Sequence, residues 1–466
     1  MLRNILIMQS TLVSSDSSAR RPVRAANKRK SPGLLMLRND LVGALDAVWQ
    51  QQGDLANLQL GPRPMKIISN PVLARALLLE KKHVFHRPTQ VKGGTALTPL
   101  LGLSVLTTDG DSWLIKRRIM QPIFHRTRIQ AMGDKMAAAG ADMLARWQAK
   151  SESEVFNLVE ETKFVTLDII NRTMFSTNVM PAVDDVGHAV DIALTWLTAN
   201  LRALIRIPVN VPTPANRRYL KAKSALDTYI YGLIAERRAN AEQHGDLLDM
   251  LLSARDEDTG LGMTDDEVRN EVITVYGAGH ETTALALAWT WHALNENPDV
   301  LAKLQHELDN VLAGRPPTMA DLPKLPYTLA VFEESMRLYP PVPFTVRIAM
   351  QDTTLGDTAL PKDQLVGLAI TNVHRHPDYW PQPEKFTPER FLPENKATLN
   401  RDAYIPFLTG PHLCIGNSFA LMEGQLLIAM MAQRFTVREL AGQNVEKLAT
   451  ITMRPKHGLM VRLERR

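Results

Sequence analysis

Apolar residues recur three and four positions apart through most of 111–311, the spacing that places them on one face of a helix. Two stretches interrupt it: a proline-rich break at 206–216, and 244–262, which ends in an acidic, glycine-bearing loop. Upstream, 35–51 also reads as a helix. Residues 55–60 and 65–68 read as short strands joined by the turn Gly61-Pro62-Arg63-Pro64. Asn70-Pro71 opens a further helix with proline at its favoured first position, and 87–110 reads as an irregular, glycine- and threonine-bearing loop. Beyond Pro340 come short β-like pieces, a proline-rich non-repetitive segment and a last apolar helix from Asn417. There is no internal repeat. The pattern predicts one mainly α domain over 31–466, with a small β-sheet region contributed by both ends of the chain.

One helix departs from its own propensities. Thr264 and Glu267 have capping-box spacing, and the helix they open can run to Asn297, about 50 Å at 1.5 Å per residue. In its middle stands Gly277-Ala278-Gly279-His280-Glu281-Thr282-Thr283. Each interior glycine costs about 1 kcal/mol relative to alanine, and paired β-branched threonines add more. Close helix packing explains such glycines as readily as a flat group lying against them. His280-Glu281 begins a zinc-protease pattern, but position 284, where the second histidine would fall, is alanine.

Composition narrows the class. With 45% hydrophobic and 22% charged residues in 466, the chain is an ordinary globular protein, and a net charge of +5 does not argue for nucleic acid. Basic residues gather at Arg20, Arg21, Arg24, Lys28, Arg29 and Lys30, so 1–30 reads as a disordered basic arm, making at most peripheral membrane contact. Its apolar start is too short to span a bilayer. An Arg- and Ser-rich terminus leaves organellar targeting open, with the cytoplasm as the default location.

Cys414 is the sole cysteine. Without an internal disulfide it is either a packed hydrophobe or a reactive or metal-binding thiol. Gly410 and Gly416 flank it, and the helix from Asn417 puts its positive end near the sulfur, which favours thiolate. The loop alone leaves both readings open. Elsewhere Glu334 and Arg337, three apart on a helix, share a face, and Arg390 in Pro388-Glu389-Arg390-Phe391 is placed to complete a buried cluster.

Together these motifs resemble the cytochrome P-450 haem-thiolate monooxygenases. The family's Phe-x-x-Gly-x-Arg-x-Cys-x-Gly is met at Phe407, Gly410, Cys414 and Gly416, and its Ala/Gly-Gly-x-Asp/Glu-Thr at Ala278, Gly279, Glu281 and Thr282. Glu334 and Arg337 fill its Glu-x-x-Arg, Arg390 falls in its Pro-Glu-Arg-Phe, and Trp113 and Arg117 match its Trp-x-x-x-Arg. One position departs: His412 stands where the family has an arginine that pairs with a haem propionate, so the fixed charge and fork are lost.

The resemblance implies a cytochrome P-450 type fold holding haem b between the long helix and the cysteine-loop helix. Cys414 is then the axial iron ligand, and Trp113, Arg117, Arg347 and His412 face the propionates. Gly279 leaves room for dioxygen beside a kinked helix, and Thr282 and Glu281 handle protons. The activity implied is insertion of one atom of O2 into a small lipophilic substrate of fatty-acid, terpenoid or carotenoid kind. Electrons would come from a separate ferredoxin or flavodoxin with its reductase, received near Lys116 and Arg118. Val342, Phe344, Thr345 and Ile451 are expected to line the pocket, with the 87–110 loop and 201–212. A peroxide-driven peroxygenase and a non-catalytic haem-thiolate sensor are the alternatives. The first tends to lack the acid–alcohol pair; the second does not need it.

Overall fold

The computed structural model describes residues 36, 39–60, 63–90, 97–177, 180–203, 207–240, 244–255, 260 and 262–466; the basic arm at 1–30 lies outside the described residues. The helices that position the site are α1 (Gly110–Met120), α2 (Gly133–Ala149), α3 (Leu158–Met174), α4 (Pro214–Ala239), α5 (Asp265–Glu296), α6 (Pro326–Leu338) and α7 (Asn417–Arg434). The expected mainly α architecture with small sheets is what the chain adopts.

The long helix α5 organises the rest. Thr264 caps it reciprocally with Glu267: the Thr264 hydroxyl accepts the Glu267 N–H at 3.3 Å, and Glu267 Oε2 accepts the Thr264 N–H at 3.0 Å. It runs as unbroken α-helix through the glycine–threonine stretch. Burial outweighs the poor local propensity. Leu285, Leu287, Trp289, Trp291 and Leu294 are completely buried, and each leucine contributes about 1.5–3 kcal/mol on leaving water. α5 packs along α3 and also against α4, α6 and α7.

Five strands form the main sheet: β1 (Leu55–Leu60), β2 (Arg63–Ile68), β3 (Phe85–His86), β4 (Phe344–Ala349) and β5 (Leu365–Ala369), in the order β1-β2-β5-β4-β3. Both ends of the chain therefore supply it. β2 and β5 pair in parallel, the other neighbours antiparallel. Strand alternation on β4 decides which side chains meet the site. Phe344 and Val346 turn to the apolar cluster around Leu45, Leu58 and Ile67, and Thr345 and Arg347 take the other face. Among the described residues no helix is long and apolar enough to cross a membrane.

Candidate functional site

The cysteine loop is shaped by its backbone. Gly410 has φ +75°, and a Cβ there would lie 2.4 Å from the Leu78 carbonyl oxygen, so only glycine fits. Gly416 is different: its φ is −88° and it has no close neighbour. Its contribution is an N–H directed at the sulfur at the start of α7. The Cys414 N–H donates to the Phe407 carbonyl at 2.9 Å, closing the loop. Cys414 is reachable by solvent, yet the protein around its sulfur is close enough that burial pushes the thiol up. The Gly416 N–H and the Arg117 charge oppose that shift without cancelling it.

Beside the loop lies a wall of charge that faces inward. Trp113 and Arg117 project from α1, whose N-cap is Asp109. Arg117 donates to the Leu413 carbonyl at 3.0 Å, tying α1 to the cysteine loop. Arg347 is 3% exposed, and burial pushes its guanidinium down to about 10. Its Nη1 reaches the Thr345 hydroxyl and the Val346 carbonyl, while its Nη2 is buried without a partner. Arg87 donates to the Val105, Leu106 and Thr108 carbonyls. Burial, with repulsion from Arg347 and Arg117, also lowers it to about 10.

Asp109 is the carboxylate that faces Arg87 and Arg347. Although burial pushes its carboxyl up, His412 and the N–H groups of Arg87 and Gly110 together hold it well below the usual carboxylate range. The expected propionate anchor, His412, has its Nε2 against Asp109 Oδ1 at 3.2 Å, and its Nδ1 is buried without a partner. Burial lowers the imidazole despite Asp109. The Trp113 ring lies on the His412 ring at 4.3 Å. Two guanidinium groups facing one carboxylate, with Arg117 beside the thiol and two buried nitrogens unpaired, fit a cofactor carrying a pair of carboxylates at its edge and a metal for the thiolate at its centre.

The middle of α5 separates into two faces. Ala278 is exposed within a helix otherwise mostly buried, and Thr282, one turn on, donates to the Ala278 carbonyl at 2.8 Å. Ala278 and Thr282 form a strip that is not covered by the neighbouring helices. Gly279 does not belong to it: a Cβ there would meet Ile170 Cδ1 of α3 at 2.8 Å, so this glycine serves helix packing. Glu281 is 7% exposed and turned elsewhere, towards Lys163, Arg454 and Thr452, with burial raising its carboxyl. Sequence reasoning missed Glu423 on α7. It is completely buried, neither carboxylate oxygen has a well-formed hydrogen bond, and burial pushes it up to about 8 against the pull of nearby Thr283 on α5. Its signal was a single charge in the apolar run of 419–431. Asp109 and Arg87 were missed too; Asp109-Gly110 directly precedes the Trp113–Arg117 pair.

Glu334, Arg337 and Arg390 come together. One guanidinium edge of Arg337, Nε and Nη2, meets both oxygens of Glu334, at 2.7 and 2.8 Å, with both side chains completely buried. Its three remaining N–H groups go to the His374, Pro383 and Lys385 carbonyls. Arg390 Nε lies 3.4 Å from Glu334.

Two expectations are corrected. Phe344 points away from the proposed pocket and covers Gly367, where a Cβ would sit 2.4 Å from its ring. Lys116 is buried, with its Nζ 3.4 Å from Glu267 and 4.0 Å from Glu271, so it is not free to receive an acidic partner; Arg118 is exposed. Val342, Thr345 and Ile451 are partly exposed.

The comparisons with known proteins agree with this geometry. The family profile described as "Cytochrome P450" matches residues 34–461. Cyclooctat-9-en-7-ol 5-monooxygenase of Streptomyces melanosporofaciens is 33% identical over 92% of this chain and 94% of that protein. Pentalenene oxygenase of Streptomyces avermitilis is 32% identical over 89% and 91%. The crystal structure of the cytochrome P450DA heme domain superposes with a TM-score of 0.85 at 26% identity, covering 96% of this chain and 98% of that one.

Proposed function

The chain belongs to the cytochrome P450 family and is a monooxygenase, and from that premise we propose that Cys414 holds haem b and that the substrate is a terpenoid-like lipophile. The observation that carries the site is the pairing of a loop thiol with the under-satisfied arginine wall. With Cys414 as the sole cysteine, no thiol remains for thioether attachment of the macrocycle, which supports haem b over a thioether-linked form. Arg87, Arg117, Arg347, Trp113 and His412 would face its carboxylates. When bound, such a haem supplies oxygen activation, with thiolate donation favouring O–O cleavage.

The chain's own groups do the rest. The Gly416 N–H and the Arg117 charge stabilise negative charge on Cys414 Sγ. The Thr282 hydroxyl, on the exposed strip of α5, holds or passes a proton at its Oγ1. Glu281 and Glu423, both raised by burial, are proton stores on either side of that strip. The terpenoid reading rests on the two Streptomyces relatives, whose names concern a cyclooctatin-series alcohol and pentalenene, and on the partly exposed Val342 and Ile451.

Electrons would arrive from a ferredoxin or flavodoxin at the outer face of α1. Exposed Leu114, Ile115 and Leu413 adjoin exposed Arg118 there, and the Arg117–Leu413 bond links that face to the cysteine loop.

Thr282→Ala, compared with the parent under reductant plus O2 and under peroxide, tests the reading. Uncoupling of reductant consumption from product, with peroxide turnover unchanged, supports an O2-dependent monooxygenase. Equal loss under both oxidants contradicts it. A screen of cyclic terpenoids for a spin-state shift, set beside fatty acids of similar size, tests the substrate class.

A further inference from the structure

The loss of the family's arginine at position 412 leaves a question that the surrounding residues answer. We propose that Asp109 is a positioning residue for the cofactor. It holds His412 by Nε2 and so presents Nδ1 to a haem carboxylate, the two residues together replacing the absent arginine. This rests on the haem reading above.

Asp109 stands where three separate segments meet. Its Oδ1 accepts the Gly110 N–H at 2.9 Å, capping α1. Its Oδ2 accepts the Arg87 N–H at 2.6 Å, fixing the chain after β3. Oδ1 also meets His412 Nε2 at 3.2 Å, which engages the cysteine loop. The imidazole is then restrained on a second side by the Trp113 ring at 4.3 Å. A ring held at one nitrogen and packed against a tilted indole has its other nitrogen aimed in a fixed direction. That nitrogen, Nδ1, is buried and unpaired, as is Arg347 Nη2, on a different element but facing the same Asp109.

Leaving a buried polar nitrogen unpaired is costly, so two such atoms beside one carboxylate mark a place where an acceptor belongs. Asp109 cannot be that acceptor for both, because its two oxygens already take the Gly110 and Arg87 N–H groups and His412 Nε2. An arginine at 412 would reach a carboxylate with a rigid charged fork and need no orienting partner. A histidine has two nitrogens in fixed opposition and needs one of them held. Asp109 supplies that hold.

A double-mutant cycle on the ferric holoenzyme separates this role from simple capping. Asp109→Asn keeps a good N-cap and removes the charge; Asp109→Ser is a second cap-preserving variant. The readout is the rate of haem transfer to apomyoglobin, measured in the parent and in His412→Ala. In the parent, Asp109→Asn should speed haem loss about tenfold, the size expected when an orienting partner of a ligand is removed. In the His412→Ala protein it should change the rate less than about twofold, because the residue through which it acts is gone. An equal factor in both backgrounds, or no change in the parent, overturns the proposal. The reduced, carbon monoxide-bound spectrum of each variant keeps the underlying reading separate. A retained red-shifted Soret band shows thiolate ligation intact while Asp109 is judged; its absence from the parent protein would overturn the haem reading and this inference with it.

Discussion

Two of the arginine clusters among the described residues are built on opposite terms. Around Glu334, every N–H of Arg337 has an acceptor: two on the carboxylate and three on backbone carbonyls of 374–385. Around Asp109, Arg347 keeps a buried, unpaired Nη2 and His412 an unpaired Nδ1, while Arg87 and Arg347 are both pushed down to about 10 by burial. A buried charge that is fully bonded is architecture, since it joins α6 to the proline-rich segment in one geometry. A buried charge left short of acceptors is incomplete until something anionic arrives. On the haem reading proposed above, the contrast separates residues that hold the fold from residues that would hold the cofactor.

The largest effect expected from this contrast is at Arg337. Arg337→Met leaves Glu334 buried with only Arg390 and the Thr387 N–H against it and should cost about 3–5 kcal/mol of folding stability, read from chemical denaturation. A cost below about 1 kcal/mol would remove the distinction. Arg347→Met should behave in the opposite way. Haem affinity falls about tenfold, while the stability of the haem-free chain stays within about 1 kcal/mol of the parent, because a buried cation with an unsatisfied nitrogen has been replaced by an apolar group. Equal losses of stability at the two sites would show that both clusters are architectural.

Glu423 sharpens the comparison from the acidic side, as a buried acid without an ionic partner. Its folded carboxyl titrates at about 8, above the value near 4.3 of an unfolded chain. The folded state therefore keeps a proton that the unfolded state releases, and stability falls as pH rises across that window. Glu423→Gln should flatten the fall between about pH 5 and about pH 8, measured by denaturation at a series of pH values. An unchanged slope would assign the pH dependence to other groups. The smallest effect concerns the two faces of β4. Phe344→Leu should lower stability by about 1 kcal/mol and leave ligand-induced spin-state shifts alone. A change at Val342 should do the reverse.

Much of this was legible in the sequence. The long helix and its cap, the sheet drawn from both ends of the chain and the cysteine loop followed from spacing and turn chemistry, which are local. The Glu334–Arg337 pair was legible because helical periodicity puts the two on one face. What stayed hidden depended on distant contacts. Gly279 sits in a motif that suggests room for a ligand, but Ile170, 109 residues earlier, fills the space beside it. Phe344 and Thr345 are neighbours in sequence, and strand alternation sends them to opposite faces. Lys116 looks like any surface lysine until Glu267 and Glu271, far along the chain, enclose it. Asp109 reads as an ordinary cap; its contact with His412 spans 303 positions and exists only after folding.

The central claim is that the sulfur of Cys414 is a metal ligand, and the reduced, carbon monoxide-bound absorption spectrum tests it most directly. The parent protein should show a strongly red-shifted Soret band, the mark of thiolate ligation, and Cys414→Ala should lose it even when haem is supplied in excess. A band that survives in Cys414→Ala, or is absent from the fully haem-loaded parent, would contradict the account.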